Sequence, residues 1–138
     1  MLEKQARDMQ IIKKSFNEMT IELMEKRKFS MRTLADASGL SSDTIKRMRT
    51  DPDRIFEIRQ LVAFCIALHL PPEVSMEYIN ASLCKFRDTV DMELYKYALI
   101  QWYSLPIPIV NRKLVEAGAP PLTNLVDGFD ENGIKIAE

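Results

Sequence analysis

The chain has 138 residues, of which 46% are hydrophobic and 28% are charged, and its formal net charge is −1. This length fits one domain or a small domain with an appendage, and the apolar fraction is too high for a disordered chain. No apolar run approaches the roughly 20 residues that cross a bilayer. The charged N-terminus is unlike a signal peptide. We therefore expect a cytoplasmic protein with no membrane partner.

The charge is distributed unevenly along the chain. Residues 1–50 contain 11 Lys and Arg against 7 Asp and Glu, whereas residues 51–138 contain 8 against 13. The sequence thus has a basic first part and an acidic second part, and such asymmetry is more informative than the total charge.

The first predicted element is an amphipathic helix. Apolar residues recur at steps of three and four from Leu2 to Leu23, which is typical of a helix with one buried side. The pattern could run unbroken to Arg27. A helix of roughly 40 Å would result, and helices of that length are uncommon in compact domains. We expect residues 1–16 to form an N-terminal helical extension that packs elsewhere.

A glycine separates two short predicted helices in the sequence TLADASGLSSDTIKRMR. Ser30 and Ser41 have side chains that are preferred at helix N-caps, which predicts helices over 31–37 and 42–49. Gly39 follows the first of them, where a left-handed backbone is needed. This spacing predicts a helix-turn-helix, in which the second helix enters the DNA major groove.

The two sides of the second helix differ in chemistry. Ile45 and Met48 are spaced to face inward with Leu34 and Leu40, and Ala35 is small enough to let the two helices cross. The outward side is predicted to carry Ser42, Asp43, Lys46, Arg47 and Thr50.

At these residues the chain resembles the phage-repressor-like helix-turn-helix regulators, the XRE family of bacteria. The resemblance extends through MEKRKFSMRTLADASGLSSDTIKRMRTDPDRIFEIRQLVAFCIALHLPPE and covers residues 17–83. It implies an all-α protein with a five-helix, lambda-repressor-like domain that binds double-stranded DNA through the helix 42–49. Residues near the start of that helix would contact base edges, and cations beside them would contact phosphates. The DNA-binding residues predicted in this way are Arg32, Ser42, Asp43, Thr44, Lys46, Arg47 and Arg49.

Two residues depart from the family pattern. Met31 stands where many members have a glutamine that helps to fix a backbone contact. Asp43 adds a carboxylate to the side that approaches DNA. It could accept a hydrogen bond from a cytosine amino group, or it could repel non-specific DNA.

The last third of the chain contains two further predicted helices. The segment VDMELYKYALIQWYS is apolar on more than one side, which is typical of a helix inside a core or an interface. A second helix has Pro108 in its first turn and ends at Gly118. Residues 84–123 are therefore a predicted C-terminal extension that either packs on the domain or forms a homodimer, and 124–138 are a tail. The candidate dimerisation residues are Leu99, Trp102 and Tyr103.

No pattern in the sequence indicates an enzyme, a metal site or a cofactor. His69 lies near a helix C-terminus, and Cys65 and Cys84 lie in apolar helical stretches, where a structural role is expected. The sequence predicts a sequence-specific DNA-binding transcriptional regulator, a repressor acting as a dimer. The alternative is a protein-interaction module, such as an antitoxin or adaptor, whose C-terminal helices bind a different protein.

Overall fold

The computed structural model describes residues 14–126, which form seven α-helices and no strand. The predicted all-α fold class is confirmed for this part of the chain. None of these helices has both the length and the apolar content needed to span a membrane. In chain order the helices are α1 (Phe16–Lys26), α2 (Met31–Ser38), α3 (Ser42–Thr50), α4 (Ile58–Ala67), α5 (Pro72–Ala81), α6 (Val90–Gln101) and α7 (Ile107–Glu116).

Helix α1 begins at Phe16 because Ser15 caps it. The backbone of Ser15 is extended, with φ −69° and ψ 159°, and its hydroxyl accepts a hydrogen bond from the Glu18 N–H at 3.1 Å. An unbroken helix up to Arg27, which the apolar repeat allowed and which we considered unusual for its length, is excluded, since a cap of this kind starts a helix. Residues 1–13, which contain most of the predicted N-terminal extension, lie outside the described residues.

The caps of α2 and α3 follow the sequence prediction. The Ser30 hydroxyl accepts from the Thr33 N–H at 3.1 Å, and the Ser41 hydroxyl accepts from the Thr44 N–H at 3.0 Å. Between the helices, Gly39 has φ +81°, the left-handed conformation that glycine adopts without a steric penalty. The predicted helix-turn-helix backbone is confirmed.

Helix α4 is the centre of the core. Every residue from Leu61 to Leu68 is buried, and α2, α5, α6 and α7 all pack against this helix. The apolar repeat of this segment begins at Ile55 in the sequence, but the helix does not include this residue. The helix begins only at Ile58, after a turn in which the Gln60 side chain accepts from the Glu57 N–H at 3.0 Å, and Ile55 is exposed.

The C-terminal extension belongs to the same core. Tyr95 and Leu99 of α6 and Val110 and Leu114 of α7 are buried together with the residues of the helix-turn-helix. Of the two predicted roles for this extension, packing on the domain is observed, with one side of each helix used for it.

After α7 the chain returns to the helix-turn-helix as an irregular segment, residues 119–126, which we call the C-terminal strap. Asn111 of α7 is buried and holds it. Its amide donates to the Leu125 carbonyl at 2.9 Å, and its oxygen accepts from the Leu122 N–H at 2.9 Å. The Thr123 hydroxyl then donates to the Ser38 carbonyl at 2.7 Å. The strap therefore connects α7 directly to the turn before α3.

Candidate nucleic-acid interface

Helix α3 separates its apolar side from its charged side. Ile45 and Met48 are 0% exposed, as the spacing predicted. On the opposite side Asp43, Lys46 and Arg47 are exposed to solvent. Because a nine-residue helix presents only about two and a half turns, these few side chains make up most of its outward surface.

Both ends of α3 are fixed by hydrogen bonds. Ser41 caps its start, and at its end the Asn17 side-chain amide donates to the carbonyls of Met48, at 2.8 Å, and Asp51, at 3.1 Å. Carbonyls in the last turn of a helix have no partner within the helix, so this contact from α1 satisfies them and fixes the direction of α3. No pattern in the sequence indicates this role for Asn17, because its partners are backbone atoms more than 30 residues away.

Ion pairs cross the outward side of α3. The Arg47 Nε lies 3.0 Å from an Asp43 carboxylate oxygen, and its Nη1 lies 3.9 Å from Asp51. The hydrogen bond from Arg47 holds the pKa of Asp43 below its ordinary value, so the carboxylate is ionised at neutral pH. The charge of Arg47 is therefore partly compensated, whereas Lys46 forms no salt bridge with residues 14–126.

The other predicted DNA-binding residues fall into two groups. Ser42 and Arg32 are exposed, the latter in the first turn of α2, and Arg49 is half-buried. Thr44 is only 8% exposed, and both its N–H and its hydroxyl bond to the Ser41 hydroxyl. The structure thus makes Thr44 part of the N-cap and does not present it as a base contact. Its predicted role arose from its place in the sequence, which does not show that the side chain points inward.

Arg54 is a further cation at this surface that sequence reasoning did not select. It is exposed in the loop after α3, with its guanidinium 5.7 Å from the centre of the Phe56 ring. After the hydrogen bond from Arg47, the positive charge of Arg54 also lowers the pKa of Asp43, so the two charges lie close enough to interact. The position of Arg54 in the sequence, shortly after α3, is the signal that could have identified it.

The three predicted dimerisation residues have different surroundings. Leu99 is 0% exposed in the core, so it cannot touch a second copy while this fold is intact, and its prediction as an interface anchor is wrong. Trp102 is half-buried, with its ring against Tyr97 at 5.2 Å. The Tyr103 carbonyl lies 2.9 Å from the His69 Nδ1, which ties the end of α6 to the end of α4.

The described residues contain no group of three or more His, Cys, Asp or Glu side chains placed to hold a metal ion. Cys65 is buried, and burial raises its pKa to about 12, so its thiol stays protonated at neutral pH. Cys84 is partly exposed and lies in the loop after α5, contrary to the expectation that it lies in an apolar helical stretch. That the protein is not an enzyme stays a prediction.

The fold contains a helix-turn-helix whose second helix, α3, has a charged outward side. Residues 21–79, a little under half of the chain, match the family model of the Cro/C1-type HTH DNA-binding domain. This match covers the helix-turn-helix segment and confirms the resemblance to phage-repressor-like regulators. No curated protein matches the chain, and no solved structure does.

Proposed function

We propose that this protein is a sequence-specific DNA-binding transcriptional regulator that reads the major groove with α3 and acts as a homodimeric repressor. The observation that carries the proposal is the orientation of α3. Ile45 and Met48 are buried, and the side with Lys46 and Arg47 is exposed. Repression is the simplest consequence of binding, because a bound domain blocks access to the DNA that it covers.

The side chains divide into base-reading and phosphate-binding groups. Ser42 and Asp43, in the first turn of α3, would meet base edges when the N-terminal part of a recognition helix enters the groove. Lys46 and Arg47 follow one turn later and contact bases or phosphates. Arg32 and Arg54 flank α3 on either side in the sequence, and we assign both to phosphates, together with Arg49.

The affinity of one copy for DNA is expected to be modest. Each phosphate neutralised by a cation steepens the salt dependence by about 0.9 log unit, and the carboxylates of Asp43 and Asp51 reduce the effect of Arg47. One recognition helix also reads only a short half-site. Two half-sites about one DNA turn apart, read by two copies, supply the specificity that one copy lacks.

Selection of bound sequences from a random duplex pool tests the proposal. We expect enrichment of a motif with two-fold symmetry, and tighter binding of that motif than of a shuffled duplex at every salt concentration. Lys46→Ala should lower the salt slope by about 0.9, while the control Lys113→Ala, in α7, should leave it unchanged. No enrichment and no shift of any duplex at low salt would contradict DNA binding.

The alternative, a protein-interaction module, has one observation in its favour. The C-terminal extension leaves Tyr97 and Ile100 exposed, and exposed apolar side chains of this size are common at protein interfaces. Under this alternative the helix-turn-helix is a scaffold. A chain that is monomeric or aggregates in light scattering and enriches no DNA sequence would support it.

A further inference from the structure

Helix α6 has an unusual outward side. Val90, Tyr97 and Ile100 are 77%, 49% and 54% exposed, although the solvent side of a helix in a globular protein is ordinarily polar. At 100° per residue the three side chains lie on the side opposite Tyr95, Ala98 and Leu99, which are buried. The helix thus uses one apolar side for the core and presents a second one to solvent.

A pair of opposite charges lies among these apolar side chains. The Glu93 carboxylate is 3.7 Å from the Lys96 ammonium, and the Lys96 ammonium also lies 5.3 Å from the centre of the Phe86 ring. The Glu93 side chain is 62% exposed and the Lys96 side chain is 39% exposed, so both can reach a partner.

The order of these residues along α6 lets two antiparallel copies of the helix match each other. If a second α6 lies antiparallel to the first with its centre near residue 95, Val90 falls opposite Ile100 of the partner subunit. Glu93 then falls opposite Tyr97 of the partner subunit and one residue from Lys96 of the partner subunit, whose long side chain can reach the carboxylate, and the two-fold axis repeats both contacts. In a parallel pair each residue would meet its own copy, which would place two Glu93 carboxylates side by side.

We propose that the outward side of α6 is the homodimer interface and that two copies pack antiparallel through it. This inference rests on the proposed function in one respect, because a regulator that reads two half-sites requires a second copy. We infer that the partner on this surface is a second copy of the chain, because the charges of Glu93 and Lys96 complement those of an antiparallel copy. Opposite charges at the edges of a helix pair set the choice of partner and its orientation.

The position of α6 in the fold leaves the DNA-binding side open. Helix α6 packs against α4 and α5, whereas α3 packs against α1 and α2. A second copy on the outward side of α6 is therefore separated from α3 by the core. One helix pair alone buries less than the roughly 1,200 Å² of a standard stable interface, so we expect a weak dimer that becomes tighter on DNA with two half-sites.

A charge exchange between subunits tests the proposal. In a homodimer of Glu93→Lys, positions 93 and 96 are cations in both subunits and repel each other. In a homodimer of Lys96→Glu, both positions are anions in both subunits and repel likewise. Each variant alone should self-associate on the order of tenfold more weakly than the wild type in sedimentation equilibrium. An equimolar mixture should recover wild-type association, because every cation then faces an anion. Recovery on mixing also shows that both variants are folded.

A matched pair of substitutions tests the apolar part. Ile100→Lys in α6 should weaken self-association. Val115→Lys, at the corresponding next-to-last position of α7 and with 56% exposure, should not. The proposal is overturned if the wild type is monomeric even on two-half-site DNA, if either charge variant dimerises normally, if mixing restores nothing, or if both Lys substitutions act alike.

Failure of this inference can be distinguished from failure of the proposed function. Binding of a single half-site duplex at low salt needs only one copy of the chain. Charge variants that bind this duplex as the wild type does, but whose mixture fails to dimerise, overturn the interface alone. If the chain forms a dimer with the predicted charge dependence but binds no DNA, only the proposed function as a DNA-binding regulator is overturned.

Discussion

Helices α3 and α6 bury one side each in the same core and differ in what they present to solvent. The inner sides are equivalent, with Ile45 in α3 and Leu99 in α6 both fully buried. The outer side of α3 is charged and that of α6 is largely apolar. The inner sides fix the fold, whereas the outer sides carry the two proposals, which are DNA binding for α3 and a second copy of the chain for α6.

The largest expected effect tests the equivalence of the inner sides. Ile45→Ala and Leu99→Ala should each lower the free energy of unfolding by about 2–5 kcal/mol, because each removes a fully buried side chain and leaves a cavity. Denaturant unfolding measures this loss. Ile100→Ala, on the outer side of α6, should change the free energy by no more than about 0.5 kcal/mol. A mild effect of Leu99→Ala would contradict its place in the core.

The second prediction concerns the strap that connects the two regions. Asn111→Ala removes the side chain that bonds to Leu122, Thr123 and Leu125. The buried Leu122 N–H then lacks its partner, and each such group costs about 1–3 kcal/mol. Denaturant unfolding and amide exchange of residues 119–125 are the measurements. The exposed Asn124 in the same strap supplies the control, and Asn124→Ala should leave both quantities unchanged.

The third prediction concerns the contact between the C-terminal strap and Gly39 in the turn of the helix-turn-helix. A Cβ on Gly39 would lie 2.5 Å from the Thr123 hydroxyl oxygen, and Gly39 also has φ +81°. Gly39→Ala should therefore cost about 1–2 kcal/mol for the left-handed backbone and a further amount for displacing the strap. Gly118 has φ +90° and nothing within 4 Å of its Cβ position, so Gly118→Ala measures the backbone cost alone. Equal losses in the two variants would show that the strap does not press on the turn.

The sequence was sufficient wherever local chemistry decides the structure. The N-caps Ser30 and Ser41 and the turn residue Gly39 act within three or four residues of their partners, and a helical repeat determines which side of α3 is buried. For this reason the helix-turn-helix and the inward positions of Ile45 and Met48 could be predicted from the sequence.

The sequence was insufficient wherever distant segments meet. Leu99 was predicted as an interface residue because α6 is apolar on two sides and periodicity does not show which side meets the core. The strap could not be predicted, because the Thr123 hydroxyl bonds to a carbonyl 85 residues earlier in the chain. Thr44 shows a different limit: a residue at the third position of a helix can serve the cap or a ligand, and the sequence alone does not distinguish the two.

The smallest expected effect changes the charge of the outer side of α3. Asp43→Asn removes the carboxylate that pairs with Arg47, so Arg47 becomes available to a phosphate. Binding to random-sequence duplex should tighten several-fold, and its salt slope should steepen by about 0.9 if one phosphate contact is gained. If Asp43 also reads a cytosine, the preference for the selected motif over random DNA falls at the same time.

The pKa of Asp43 gives this prediction a second measurement. Because Arg47 holds that pKa below its ordinary value, the carboxylate stays ionised when the pH falls from 7 to 5. The salt slope of the wild type should therefore be the same at both pH values, and acid should not reproduce the substitution. Asp88→Asn, an exposed carboxylate between α5 and α6, is the control for net charge. If Asp88→Asn steepened the salt slope as much as Asp43→Asn, the gain would come from overall charge rather than from the release of Arg47. That result would contradict DNA binding through the outer side of α3.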